Sequence, residues 1–331
     1  MDRIPTEIFL HILKILWHAN EDIAPLLRLN SQWFHFGISL LWQDTGIDAL
    51  CKLHDDRRQI YASMVKKLHL VDPKKYPMDQ MREYLEGYRH LTFPRLVHLT
   101  IALGQVGYKQ LRYPYWPVVQ YLQRHLHSGL KVIHLLGYFD PDVFPSLKTY
   151  CPQLQRLYID ADCQARPEAL LKFLRNNATI STMHLNLGYE GSWMTVDIFN
   201  LLAEQRTLRQ FSGNALVNKH ILESLDNPSP FMALHYLIIS VTYDTIPLLL
   251  HMVSPVRTLG LKVRLSESSD SDVPSSTIFR DIYKLTELRH LELLDYGPIA
   301  VTSNEDIRSP RPLNATETID RFRLPGTRLY G

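Results

Sequence analysis

One phrase, apolar-x-x-apolar-x-apolar, returns nine times along this chain and constrains its fold more than any other feature. It reads Val65-x-x-Leu68-x-Leu70, Leu96-x-x-Leu99-x-Ile101, Leu130-x-x-Ile133-x-Leu135, Leu154-x-x-Leu157-x-Ile159 and Ile180-x-x-Met183-x-Leu185. It continues as Leu208-x-x-Phe211-x-Gly213, Leu234-x-x-Leu237-x-Ile239, Val256-x-x-Leu259-x-Leu261 and Leu288-x-x-Leu291-x-Leu293. First positions stand 31, 34, 24, 26, 28, 26, 22 and 32 residues apart, a mean of about 28. Alternation within the phrase predicts a short strand. The intervals hold amphipathic helical stretches, such as Glu168 to Leu174 after Pro167, Val196 to Leu202, and Thr277 to Tyr283. Strand alternating with helix at so short a period predicts a parallel sheet on one side and helices on the other. Self-similar units of this length stack, each burying its apolar face against the next. A doubly wound α/β domain also alternates strand and helix, but no glycine-rich phosphate turn follows any strand, and nine near-identical strands are too many for it.

The period and phrase resemble those of leucine-rich repeats. That resemblance implies an irregular solenoid over 46–294, with parallel strands on the concave side and helices on the convex side. The asparagine or cysteine ladder of typical repeats is missing; its place is taken by residues as different as Pro73, Gly104, Leu216 and Arg264. The three apolar residues of each phrase should face the core, so the residues between and just after them should face outward. These are Lys67, His69, His98, Thr100, His134, Arg156, Tyr158, Asp160, Thr182, His184, Asn186, Gln210, Asn214, Tyr236, Thr258, Lys262, His290 and Glu292. His69, His134, Tyr158 and His184 should share one row across the strands, and His98, Arg156, Tyr236 and His290 another. Tyr and Arg are favoured protein-recognition anchors, so His98, His134, Arg156, Tyr158, His184, Tyr236 and His290 are the candidate target-binding residues.

The first forty-five residues follow a different pattern. Pro5 is pre-set for the start of a helix and Glu7 suits its positive end. Ile8, Ile12 and Leu16 fall one turn apart, with Phe9 and Leu13 widening the stripe. A second helix is expected from Asp22 as cap, with Pro25 in its first turn. Ser31 would cap a third, carrying Trp33, Phe34 and Ile38 and ending near Leu41-Trp42. Three such short helices cannot bury all these side chains among themselves, so some apolar surface must dock elsewhere.

This segment resembles an F-box, the docking motif of substrate receptors in Skp–cullin–F-box ubiquitin ligases. The resemblance rests on Ile4-Pro5-x-Glu7-Ile8, then Ile12, Leu16, Asp22-Ile23, Leu29, Trp33 and Leu41-Trp42. Ile4 replaces the usual leucine, and Asn30 stands where the family often has cysteine. The resemblance implies an adaptor-binding ridge of Ile4, Pro5, Ile8, Leu26 and Trp33. It also points to the repeats as the substrate-binding half, since many F-box proteins carry them.

The expected organisation is an α/β chain: an F-box at 1–45, a solenoid of about nine repeats at 46–294, and a cap or partly disordered tail at 295–331. The acidic, serine-rich stretch 265–276 reads as a mobile excursion. A net charge of +2 argues against a nucleic-acid grip. Cys51, Cys151 and Cys163 lack metal-ligand spacing and are too few for a disulfide framework, which favours a reducing compartment, cytoplasmic or nuclear. No membrane span or secretory signal is expected. Asp140-Pro-Asp142, Asp160-Ala-Asp162 and Asp270-Ser-Asp272 read as turn and capping chemistry rather than a metal site. No nucleotide, zinc-protease or nucleophile-elbow motif occurs, so neither enzymatic activity nor a cofactor is expected. The expected function is a non-catalytic substrate receptor that binds a Skp-type adaptor, and through it a cullin, and recruits a protein target. The alternative is a ligase-independent repeat scaffold whose first residues are only a cap.

Overall fold

The computed structural model describes residues 5–19, 21–70, 88–103, 123–137, 139, 143–161, 166–187, 193–225, 227, 229–264, 282 and 285–295. Ile4, the serine-rich stretch 265–276 and the tail beyond 295 lie outside them, as do Cys163 and all of Thr277 to Tyr283 except Ile282.

Ten strands pair in chain order in one parallel sheet. They are β1 (Asp44–Gly46), β2 (Lys67–Leu70), β3 (His98–Leu103), β4 (Val132–Gly137) and β5 (Arg156–Ala161). Then follow β6 (Thr182–Leu187), β7 (Gln210–Val217), β8 (Tyr236–Thr242), β9 (Thr258–Arg264) and β10 (His290–Asp295). Each of the nine phrases lies at a strand from β2 to β10. Consecutive strands pairing in order, each parallel to the last, make a solenoid of the leucine-rich-repeat type. The sequence does not announce β1: Asp44-Thr45-Gly46 has no apolar phrase, and its pairing with Lys67–His69 starts the sheet two residues before the expected boundary.

The register aligns the middle apolar position of every phrase. Leu68, Leu99, Ile133, Leu157, Met183, Phe211, Leu237 and Leu259 form one buried row running through the core. Just before each strand from β1 to β9 a single carbonyl accepts two N–H groups from the next coil. Lys66 O takes those of Val97 and His98, Lys131 O those of Gln155 and Arg156, and Arg257 O those of Arg289 and His290. This shared acceptor fixes the stacking of one coil on the next. Two places break the rule. In β7 the pairing shifts between Ser212 and Leu216, and Gly213 fills an apolar slot because a Cβ there would press on Leu185 O at 3.2 Å and the Trp193 ring at 3.4 Å. In β10, Leu293 is 36% exposed, since no described strand packs beyond it.

Helices line the other face: α1 (Ile47–Cys51), α2 (Asp55–Ala62), α3 (Val143–Tyr150), α4 (Pro167–Asn176), α5 (Val196–Glu204), α6 (Lys219–Glu223) and α7 (Ile246–Met252). In α4, Pro167 at the first turn supplies a pre-set φ. Its Leu170, Phe173 and Leu174 are buried, with Phe173 5.6 Å from the Phe144 ring of α3. Thr195 caps α5 by accepting the Ile198 N–H.

Ahead of β1 lie two further helices, Nα (Thr6–His18) and Nβ (Ser31–Leu41), joined through a single 3-10 turn, Leu26–Arg28. Two local expectations fail here. Asp22 does not cap a helix; its Oδ1 accepts the Ala24 N–H in a tight turn, and only the 3-10 turn follows. Nβ is capped by Asn30 rather than Ser31. The extended backbone of Asn30 lets its Oδ1 accept from both Gln32 and Trp33 N–H, the geometry that makes Asn a strong cap. Phe9, Leu13, Ile23 and Leu40 make a small core of their own, flanked by Leu16, Leu26, Trp33 and Phe36. Trp42 belongs instead to the solenoid, packed on its core and stacked on Tyr61 at 4.7 Å.

Candidate functional site

Two surfaces follow from this architecture. The first is the outer face of Nα. Ile8, Ile12 and Ile15 recur at helical spacing on the side turned away from Phe9 and Leu13. Ile8 is 53% and Ile15 54% exposed, while Leu13 between them is fully buried. Leu29, 64% exposed, and Phe34 add apolar surface around the start of Nβ. This open cluster of large apolar side chains sits on a unit whose own core is small: Phe9, Leu13, Ile23 and Leu40.

The residues expected to bind an adaptor divide between surface and core. Pro5 and Ile8 are exposed. Leu26 and Trp33 are half-buried, and Trp33 lies against Phe9 with ring centroids 3.6 Å apart. Trp33 is therefore part of the small core as well as its rim. Ile15, Leu29 and Phe34 were not singled out for this surface; Ile15 and Phe34 could have been found from their place on the helix face opposite the buried residues, whereas Leu29 lies in the turn between helices and has no such signal.

The second surface is the open face of the sheet. Rows of side chains cross it at strand spacing, about 4.8 Å. His69, Thr100, His134, Tyr158 and His184 are in register in one row, and Lys67, His98, Arg156, Tyr236 and His290 in the next, with Val132, Thr182, Gln210 and Thr258 between them. Neighbouring rings touch: His98 lies 4.8 Å from His134 across the two rows, and His134 4.1 Å from Tyr158 within one row. Burial pushes His98 and His134 down to about 4; Lys67 and Arg156 act on His98 in the same sense and Asp44 against it, and both rings are neutral at physiological pH. His184 moves the same way through burial, partly opposed by Asp160. Burial raises Tyr158 and Tyr236, the latter helped by the Glu292 charge. At the first strand, Lys67 donates to Asp44 Oδ2 at 3.2 Å and His69 Nε2 sits 2.9 Å from Asp44 Oδ1. Burial opposes the Asp44 charge, but these partners outweigh it and hold its carboxyl below the ordinary range.

Not every outward residue is free for a partner. The Asn214 side chain accepts the Leu187 N–H and the Trp193 indole N–H, so the register shift in β7 turns it to structural use. Asn186 donates to Asp160 at 2.8 Å. Ile238, on the open face, is buried because it fills the space above Gly260, where a Cβ would come within 2.8 Å of it.

Among the described residues no group of His, Cys, Asp or Glu could hold a metal ion, and no helix is long and apolar enough to cross a membrane. Burial pushes the Cys151 thiol up to about 12, which removes its nucleophilic form. Asp140, Asp142, Asp162, Asp270 and Asp272 lie outside the described residues.

No protein-family model matches the chain, and no curated protein matches it. Among solved structures it is similar to the leucine-rich repeat-containing protein LegL7 from Legionella pneumophila. The identity is 12% and the TM-score 0.40, over 76% of this chain and 82% of that one. The repeat architecture described above rests on this chain's own strand order and register.

Proposed function

We propose that this chain is a substrate receptor of a Skp–cullin–F-box ubiquitin ligase. The helical unit 6–41 docks on a Skp-type adaptor, and the open sheet face captures a protein target. The receptor makes and breaks no bonds; it holds target lysines near a charged ubiquitin-conjugating enzyme and so raises their effective concentration. The observation that carries this reading is the exposed Ile8–Ile15 face on a unit with its own small core. A helix serving only as a cap would turn that face inward.

The test is co-expression of the tagged full chain with a Skp-type adaptor. Wild type should co-purify with the adaptor, and an Ile8→Glu/Ile15→Glu variant with an unchanged circular dichroism spectrum should lose it. Absence of adaptor from the wild-type eluate overturns the ligase reading and leaves a repeat scaffold. Target capture is tested separately by changing Arg156, Tyr158, His184 and Tyr236 to alanine together. Capture should fall with adaptor binding intact.

A further inference from the structure

The doubly accepting carbonyls that stack the coils also align the side chains of the residues that bear them. Nine residues from Gln43 to Arg257 bear such carbonyls, and Arg289, whose N–H bonds to the last of them, continues the row as its tenth position along the leading edge of the sheet. Five of them are bases: Lys66, Lys131, Arg209, Arg257 and Arg289. The other five are Gln43, Val97, Gln155, Ser181 and His235, so the row holds no acid. All five bases are exposed. Arg257 lies 4.0 Å from Glu287; among the described residues the other four have no acidic partner within ion-pair distance.

A chain with net charge +2 has nearly balanced charges overall, so a one-signed row is a local concentration. The hydrogen-bonded stacking keeps it straight relative to the strands. From Lys66 to Arg289 it crosses eight strand intervals, roughly 38 Å at ~4.8 Å each. That is the length of about eleven residues of extended peptide. The row is one side chain wide, and Arg156 borders it on the open face.

We propose that this row binds an extended acidic segment of the target protein. The proposal deepens, and rests on, the reading of the solenoid as the target-binding half. Charge complementarity names the occupant: five exposed bases along one edge, four of them without an acidic partner among the described residues, suit carboxylates along a strand-like peptide. A nucleic acid fits less well. Its phosphates spread across a broad surface, and the open face beyond this row carries Asp44 in the adjacent row and Glu292 and Asp160 further along the strands.

The experiment uses the full chain and a fluorescein-labelled poly-glutamate peptide of about twelve residues, long enough to span the row. Fluorescence anisotropy should show binding that weakens steeply as salt rises, with none for a poly-lysine peptide of equal length. The variant Lys131→Glu/Arg209→Glu/Arg257→Glu/Arg289→Glu should bind at least about tenfold more weakly while adaptor capture stays at the wild-type level. Should the reversed charges unfold the chain, the four glutamine substitutions are measured instead, with the same loss expected. Peptide affinity unchanged by the folded variant overturns the proposal. So does tighter binding of a single-stranded oligonucleotide of equal charge that displaces the peptide. Failure of the wild type to capture the adaptor strikes the ligase reading alone, because peptide binding is read independently of it.

Discussion

The helical unit at 6–41 and the solenoid behind it bury apolar side chains by opposite routes. In the solenoid each strand from β2 to β9 sits between two others, so a phrase residue such as Leu157 is enclosed on both sides by Ile133 and Met183 and from above by helices. Repetition closes the core without need of a partner. The helical unit has no such neighbours: its buried apolar residues are Phe9, Leu13, Ile23, Leu27 and Leu40, and Ile8, Ile15 and Leu29 stay more than half exposed. A small element cannot cover its own apolar surface. The same residue chemistry therefore gives stability in one region and a surplus available for docking in the other.

Removing a large side chain from the closed core should have the largest effect. Phe173→Ala empties space beside Phe144 at the heart of the helical layer. A loss of about 3–5 kcal/mol is expected, read as a lower urea midpoint. A change below about 1 kcal/mol would mean the repeat core is plastic, and the contrast with the helical unit would fail.

Leu13→Ala applies a similar insult to the small core and should cost about 2–3 kcal/mol. Hydrogen exchange should quicken within 6–41 and remain slow in β4 to β8. Equal acceleration across the sheet would show one cooperative unit where two cores are described. Gly37 sharpens the point: a Cβ there would collide with Leu27 Cδ2, so Nβ and the 3-10 turn meet with no room to spare.

How much of this was legible in sequence follows from the same contrast. The strands of the solenoid were readable because their apolar spacing is set by stacking and recurs nine times. The strand Asp44–Gly46 was not, since it pairs through its backbone and contributes no apolar phrase. Asn214 was read as outward-facing, but the register shift in β7, which depends on Trp193 and Gly213 together, has no local signature. In the helical unit the apolar stripe was legible but not which half of it is buried: Phe9 and Leu13 turn inward while Ile8 and Ile12 stay exposed, and the cap moved from Ser31 to Asn30 because both residue types cap and only backbone geometry decides. Trp33 appeared as a surface anchor; its packing on Phe9 depends on how Nα meets Nβ, a tertiary fact. Trp33→Ala should accordingly lower the stability of 6–41 as well as adaptor capture, which makes it a poor probe of binding alone.

Acid should separate the regions more gently. His98 and His134 titrate near 4 in the folded sheet and near 6.5 in an unfolded chain. Between those values the unfolded state binds more protons, so folding stability is full above about pH 6.5 and is lost as pH falls toward 4. Both rings keep some water contact, so the combined loss should be only about 1–2 kcal/mol. His98→Gln/His134→Gln should flatten that part of the pH profile of the solenoid. A profile unchanged by the double variant would mean the rings are not desolvated by the sheet.

The smallest effect on stability should come from the most exposed positions of the helical unit. Ile15 lies two residues after Leu13 in Nα yet is 54% exposed where Leu13 is fully buried. Ile15→Glu keeps a good helix former and leaves no cavity, so its unfolding midpoint should match wild type within about 0.5 kcal/mol. If the exposed face is a docking surface, the same change places a carboxylate in an apolar contact and should weaken adaptor capture about tenfold or more. The two positions then give opposite signatures: Leu13→Ala is costly to folding, whereas Ile15→Glu is nearly silent until a partner is added. Destabilisation by Ile15→Glu as large as that by Leu13→Ala would show the face already covered within the chain. The surplus of apolar surface would then be a property of folding and not of binding.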